Sequence, residues 1–346
     1  MIEYVQLHQA QELDDFVIHH PNGHFMQTSL WGNFRTDWNW IGILCRRDGK
    51  ILGTMALLWR TVRFFGSALL YAPRGPVLEY EDMNTFYELL DAAKFFARQQ
   101  RGYLLRMDPP VLLDSYEFIG TAIEEGFNID PRADFTTFNP KLVYQLDLCG
   151  LDVKTLPGIF HAKVRYNTRL AQRRGVTIRE GGVEDIPAFS AMMEQTAQHD
   201  GFHARNSSYF VRLLQTMPEY TKLFCAELDG KIIAAAIYLQ QGNRAWYLYG
   251  CSDLAHRSEK PNDLLQYHMI AYALQHGCTL YDFRGVEGYP CHCNPKIGLH
   301  QFKQGFGGEL VEYIGQMDLV LRPAMYKLIT TTQALVTKCK AAGDES

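Results

Sequence analysis

At 346 residues the chain is about twice the usual domain length, so it divides into two domains around two cores. A hydrophobic content of 47% beside 21% charged residues excludes a disordered or fibrous chain, and a formal net charge of −4 excludes a general polyanion binder. No apolar run approaches the roughly eighteen residues of a membrane span, and Met1-Ile2-Glu3-Tyr4-Val5-Gln6 lacks the basic start and apolar stretch of a secretory signal, so a cytoplasmic protein is expected.

The eight cysteines are too dilute for a disulfide framework; Cys45, Cys225 and Cys278 lie in or beside apolar strand-like segments and read as reduced core residues. Cys291-His292-Cys293 has a tight spacing that suggests a metal, but no second pair completes a tetrahedral site. A loop with incidental thiols is expected there, with no metal.

In chain order, the predicted elements form a repeat. Asp48-Gly49 sits between two strand-like runs as a hairpin turn. A helix over Met83–Gln100 ends at Gly102, and the strand Leu104–Asp108 leads to an acid. The second half repeats this order: an Asp229-Gly230 hairpin, a helix over Leu264–His276 ending at Gly277, then the strand Thr279–Asp282 with its acid. Two mixed, twisted sheets flanked by helices follow, with a hinge near Cys149-Gly150; the helical run Ala324–Lys340 is expected to pack back on the first domain.

Several segments carry chemistry. Pro73 and Pro76 stiffen the turn that holds Arg74, which suits an anion contact or a purely structural turn. Asp108, just before Pro109-Pro110, ends its strand and should face a cleft or rim, unless it pairs with Arg106 or caps the turn. In HAKVRYNTRLAQRRG, a helix puts Arg165, Arg169 and Arg173 on one face, with Lys163 and Arg174 beside them. This is a cationic stripe for RNA or an ordinary solvated face.

Asn206 or Ser207 caps a helix next to Arg205 and Tyr209, a start that can hold phosphate. In the strand Ala245–Gly250, alternation places Tyr247 and Tyr249 on one face and Trp246, Leu248 and Gly250 on the other. Lys303 lies in a glycine- and aromatic-rich segment that approaches a ligand or turns into the strand Glu309–Gly315.

QTSLWGNFR (Gln27–Arg35), YAPRGPV, LLRMDP, WYLYG, YDFRGVEG and FKQGFGGELVEYIG, in this order, resemble the Fem-type aminoacyltransferases, which build peptidoglycan side branches from aminoacyl-tRNA. The resemblance covers nearly the whole chain. It implies an α/β (α+β) fold of two N-acetyltransferase-like (GNAT) domains with a cleft between them. The first comprises 1–149 plus 316–346 and binds the muropeptide; the second, 150–315, takes the aminoacyl-tRNA side.

Only Asp185–His199 separates the basic segment's strand from the GFHAR segment, so the chain resembles the compact type without a helical arm. The resemblance implies acceptor contacts at Arg35, Arg205 and Tyr209, and cleft roles for Asp108 and Tyr249. Lys303 matches a lysine beside the transferring carbonyl, and Arg74 and Tyr247 join the candidate substrate contacts.

The expected reaction moves glycine, alanine or serine from aminoacyl-tRNA to the amine of UDP-MurNAc-pentapeptide or lipid II, without a cofactor and with at most peripheral membrane contact. Two rivals stand beside it. An acetyl-coenzyme A-dependent N-acyltransferase needs a glycine-rich pyrophosphate loop, and Arg257-Ser258-Glu259-Lys260-Pro261-Asn262 lacks its glycines. A silent muropeptide- or tRNA-binding protein would have no use for Lys303.

Overall fold

The computed structural model describes residues 1–132 and 138–344. The chain divides into two compact units, one of Met1–Arg132, 138–141 and the chain from Glu312 onward, the other of Leu142–Val311. It leaves the first unit between Lys141 and Leu142, ahead of Cys149-Gly150, because the strand that begins at Leu142 pairs inside the second sheet.

The sheet of the first unit holds β1 (Ile2–Val5), β2 (Asn39–Arg47), β3 (Lys50–Val62), β4 (Ser67–Ala72), β5 (Val77–Leu78), β6 (Gly102–Met107), β7 (Phe127–Ile129) and, from the returning chain, β15 (Met317–Val320). Their order is β1-β2-β3-β4-β6-β15-β7, with β5 paired to β3. In the second unit, β8 (Leu142–Asp147), β9 (Thr177–Gly181), β10 (Thr221–Leu228), β11 (Lys231–Gln241), β12 (Arg244–Ser252), β13 (Leu280–Gly285) and β14 (Glu309–Glu312) run β14-β8-β13-β12-β11-β10-β9.

The repeat read from the sequence is present in both units. The β2–β3 turn has Asp48 at φ +52° and Gly49 at +79°; the β10–β11 turn has Asp229 at +50° and Gly230 at +76°. Positive φ at both central residues matches the twist of the flanking strands. After each hairpin come a further strand (β4, followed by the short β5, in the first unit; β12 in the second), a crossover helix (Met83–Gln99 or Pro261–Gln275) and a strand parallel to that further strand, β6 on β4 and β13 on β12. A parallel pair needs such a crossover.

One detail differs from expectation. Gly102 does not end the first helix; Arg101 takes the left-handed turn at φ +53°, and Gly102 opens β6. A side chain there would stand 2.7 Å from Leu70 and 3.0 Å from the Ala97 carbonyl, so close packing of helix on strand selects the glycine.

Each core is a sheet face covered by its crossover helix. Phe86, Leu89, Leu90, Ala93 and Ala97 pack on Ile43, Met55 and Leu57; Leu264, Leu265, Met269 and Ile270 pack with Phe224, Ala236 and Tyr238. Each fully buried leucine or phenylalanine contributes about 1.5–3 kcal/mol. The helix Pro323–Asp344 packs on the first unit, with Ile329 buried and the Tyr326 ring 6.4 Å from Tyr103.

Cys45, Cys225, Cys251 and Cys278 are buried thiols, whereas Cys291 and Cys293 are joined by a disulfide. That corrects the expectation of loose thiols. Their Cα atoms lie 5.3 Å apart, inside the disulfide range. Among the described residues no helix is long and apolar enough to cross a membrane.

Candidate functional site

In the first unit the end of β6 delivers Asp108 into a sealed polar knot. The residue is 0% exposed. Its carboxylate accepts the Tyr71 hydroxyl at 2.6 Å, the Arg74 backbone N–H at 2.7 Å and the Asn139 amide at 3.1 Å. Burial pushes its pKa up, against the downward pull of the Arg74 charge and these donors; Tyr71 is pushed well above the ordinary phenol range, by burial first and Asp108 second. The expectation that Asp108 faces a cleft or rim is therefore overturned, as is its pairing with Arg106, which reaches Asp318 on β15 at 2.7 Å through both nitrogens.

Arg74 shares that burial. It is 2% exposed, has φ +54°, and places its guanidinium 2.8 Å from the Pro140 carbonyl, 3.4 Å from the Asp108 carbonyl and 5.1 Å from the Tyr313 ring centre. Its stiff turn aims it inward. An anion contact at the surface is not available to it.

Arg35 ends the helix Ser29–Phe34, pairs with Asp37 at 3.2 and 3.3 Å, and lies 5.8 Å from the Trp38 ring; Arg60 lies 4.5 Å from the same ring. Its side chain is 26% exposed, so it remains reachable. Asn139, Tyr71 and Arg60 were not found from the sequence, because only the fold sets them beside Asp108 and Trp38.

In the second unit, Lys303 projects from the helix Ile297–Gly305, which replaces the expected turn. It is 3% exposed and donates to the carbonyls of Arg284 at 3.0 Å and Gly285 at 2.6 Å. Burial pulls its pKa down to about 7, with Asp282 pulling it back up. An ammonium has three protons. Among the described residues the third has no acceptor.

The two carbonyls are aimed by a kink. Arg284 has φ +63°, and the β13–β8 ladder is irregular between Asp282 and Gly285. Asp282, 5% exposed, holds the kink by accepting the Arg284 N–H at 2.6 Å and the Gln145 amide at 3.1 Å. A left-handed arginine in a strand persists only where its surroundings over-determine it, and such strain clusters at functional sites.

The tyrosines of β12 do not share a face. Ile237 pairs with Tyr249 but Tyr238 pairs with Tyr247, so Leu248 is the extra residue of a bulge. Tyr247 lies over Gly250, where an added Cβ would stand 1.7 Å from the phenol oxygen, and packs into the core under the Pro261–Gln275 helix. Tyr249 turns to the other face, with its hydroxyl 2.9 Å from that of Tyr209 and its ring 5.2 Å from Phe210. Arg205, exposed, lies 5.3 Å from the Tyr209 ring, and Asn206 caps the helix Ser207–Thr216. Arg205, Tyr209 and Tyr249 thus form one cluster that Tyr247 does not join.

The basic segment is the helix Ala162–Arg173. Arg165, Arg169 and Arg173 lie together on one face of it with Tyr166 and Gln172. Lys163 is exposed, Arg165 also donates to the Phe160 carbonyl, and Arg174 turns away to the Ser258 carbonyl at 2.8 Å and Glu259 at 3.0 Å.

The FemAB family model matches residues 9–232 and 229–334. This chain belongs to the FemAB family. The lipid II:glycine glycyltransferase of Staphylococcus aureus (strain USA300) is 27% identical over 407 aligned positions, covering 95% of this chain and 96% of the relative. Since this FemAB protein has 346 residues, the relative carries insertions that it lacks.

The solved structure of FemX superposes with a TM-score of 0.86 at 26% identity over 95% of this chain and 99% of that one. A tandem GNAT protein from the clavulanic acid biosynthesis pathway superposes at 0.57 with 14% identity over 93% and 99%, a likeness of fold alone. The two units of this FemAB protein are GNAT-like, as the family resemblance implied. The curated relatives are aminoacyltransferases, and so is this chain.

Proposed function

We propose that this FemAB protein moves a small amino acid, glycine in the first instance and otherwise alanine or serine, from aminoacyl-tRNA to the free amine of a peptidoglycan stem peptide, forming the interpeptide bridge. Lipid II is the favoured acceptor because the relatives matched over nearly their whole length are named for it; the nucleotide-linked precursor is the alternative. The observation that carries the chemistry is Lys303, a buried amine held by two carbonyls that in its ammonium form, populated below its pKa of about 7, has one N–H left to give.

Aminoacyl-tRNA is an activated ester, so alignment and charge stabilisation suffice. The amine nitrogen attacks the ester carbonyl, the N–C bond forms, the C–O bond to the ribose breaks, and the proton lost by the amine passes to the ribose oxygen. The third N–H of the Lys303 ammonium hydrogen-bonds the developing oxyanion without leaving the nitrogen, fixed beforehand by Arg284 and Gly285 and so costing no reorganisation. Asp108, sealed from solvent, is a positioning residue that holds Tyr71 and Arg74 rather than a base. Tyr249, paired with Tyr209, orients a substrate group through its hydroxyl. Arg35 and Arg205 are the reachable cations for acceptor phosphates, and the Arg165–Arg169–Arg173 face takes the tRNA backbone.

Nothing favours coenzyme A. The segment before the Pro261–Gln275 helix is the 3₁₀ turn Leu254–Glu259, then Lys260 at φ +56°, and the helix opens on a proline that has no N–H to give a pyrophosphate. The test is to incubate the protein with a mixed pool of charged tRNAs and either lipid II or nucleotide-linked muropeptide, and to weigh the product. A mass gain of one aminoacyl residue on one acceptor names donor and acceptor together; transfer from acetyl-coenzyme A instead, or no transfer, overturns the reading.

A further inference from the structure

The turn joining β3 to β4, Arg63-Phe64-Phe65-Gly66, puts two phenylalanines where hairpin turns usually carry small polar residues. Phe64 is 92% exposed and sits at φ +70°, a left-handed backbone that bulky side chains avoid. The Arg63 guanidinium lies 5.0 Å from its ring. Neither burial nor backbone preference explains an aromatic residue there.

Beside this turn the first unit opens a cavity of about 670 Å³, whose walls bring Lys94, Arg98, Arg101 and Arg322 together with Phe65 and Ser67. Lys94 is paired with Glu125 at 2.5 Å, and Arg322 donates to the Ser67 hydroxyl at 3.1 Å. Arg98 and Arg101 are exposed and form no ion pair among the described residues. In a chain of net charge −4, this local concentration of cations is not the background of the surface. Met325 of the Pro323–Asp344 helix closes the cavity, and the same helix exposes Leu328 and Leu335.

We propose that this turn and its basic cavity dock the protein on an anionic lipid bilayer, with Phe64 inserted at the boundary of headgroups and acyl chains and Arg63, Arg98 and Arg101 set against lipid phosphates. A projecting phenyl ring flanked by long cations is the amphipathic arrangement that an interface rewards, the ring leaving water while the charges stay among the headgroups. The surface is separate from the residues assigned to transfer. Vesicle binding is read without donor or acceptor, so the fate of the transfer reading leaves this one standing.

The experiment is co-sedimentation of the full chain with vesicles of equimolar phosphatidylglycerol and phosphatidylcholine, against pure phosphatidylcholine, at low and high salt. Binding to the anionic vesicles alone, weakened by salt, is expected. Arg98→Glu with Arg101→Glu should weaken it roughly thirtyfold, about fivefold for each arginine. Phe64→Ser should weaken it about tenfold. Arg169→Glu with Arg173→Glu, in the second unit, should bind as the parent does, which separates this surface from general electrostatic attraction. Thermal melting of each variant should match the parent, since all these side chains are exposed. The proposal fails if the parent ignores anionic vesicles, if the turn and cavity variants bind undiminished, or if the double arginine variant loses binding to a short RNA while keeping vesicles, which would assign the cavity to nucleic acid.

Discussion

Asp108 in the first unit and Asp282 in the second are the acids to which the repeated strand leads, and they do the same backbone work. Each accepts the N–H of an arginine in the left-handed region, Arg74 at 2.7 Å and Arg284 at 2.6 Å. They part in what the kink then serves. In the first unit the Arg74 guanidinium folds in onto the Pro140 carbonyl, and the polar groups satisfy one another. In the second, the kinked backbone turns two carbonyls onto Lys303 and leaves the ammonium one acceptor short. One device therefore finishes a scaffold and primes a reaction, the difference being whether the last polar group is satisfied from within.

The sharpest way to break this comparison is Lys303→Ala. Loss of one preorganised donor should cut single-turnover transfer by about 10²–10³-fold, while acceptor affinity by calorimetry changes by less than about threefold. Equal losses in both would remove the oxyanion role. Next in size is Asp108→Asn, which strips the buried hydroxyl and N–H donors of their charged acceptor. It should cost about 2–3 kcal/mol in urea unfolding, with the pH profile of the remaining transfer unmoved. A displaced profile would restore Asp108 as a base.

The stripe comes third. Arg169→Glu with Arg173→Glu should raise KM for aminoacyl-tRNA several-fold and flatten its salt dependence by about two phosphate contacts, leaving acceptor binding alone. Lys303 also makes stability depend on pH. Its folded pKa, about 7, lies below the ordinary lysine value of 10.5, so between these the unfolded chain binds more protons and stability rises with pH. Urea midpoints at pH 7, 8 and 9 should climb relative to Lys303→Met, and parallel curves would contradict the shift. The smallest effect separates the tyrosines: Tyr249→Phe should slow transfer a few-fold and Tyr247→Phe leave it unchanged, because only Tyr249 shares the Tyr209 cluster.

Much of the fold was legible because it rests on local signals. The Asp-Gly turns, the helices that follow them and the strands that lead to Asp108 and carry Asp282 are fixed by positive-φ chemistry and hydrophobic spacing within a few residues, although the second strand runs on past its acid to Gly285. The cationic stripe was readable for the same reason, since three arginines four apart share a face of any helix. The Tyr247–Tyr249 face failed because a bulge at Leu248 depends on the partner strand, β11, whose register no alternation rule contains. Local pattern puts Asp108 at a cleft or rim because strand ends usually lie there, and leaves Arg74 between an anion contact and a structural turn; Pro140 and Asn139 pack over them, and both are buried.

By itself, the sequence determined the repeated unit, the turns, the family and the residue types that carry charge, all of which depend on neighbours along the chain. Tertiary structure alone decided which charges are free. Burial and hydrogen-bond completion depend on distant segments: Asn139 seals Asp108, the backbone of Arg284 and Gly285 holds Lys303, and among the described residues none covers Phe64 or forms an ion pair with Arg98.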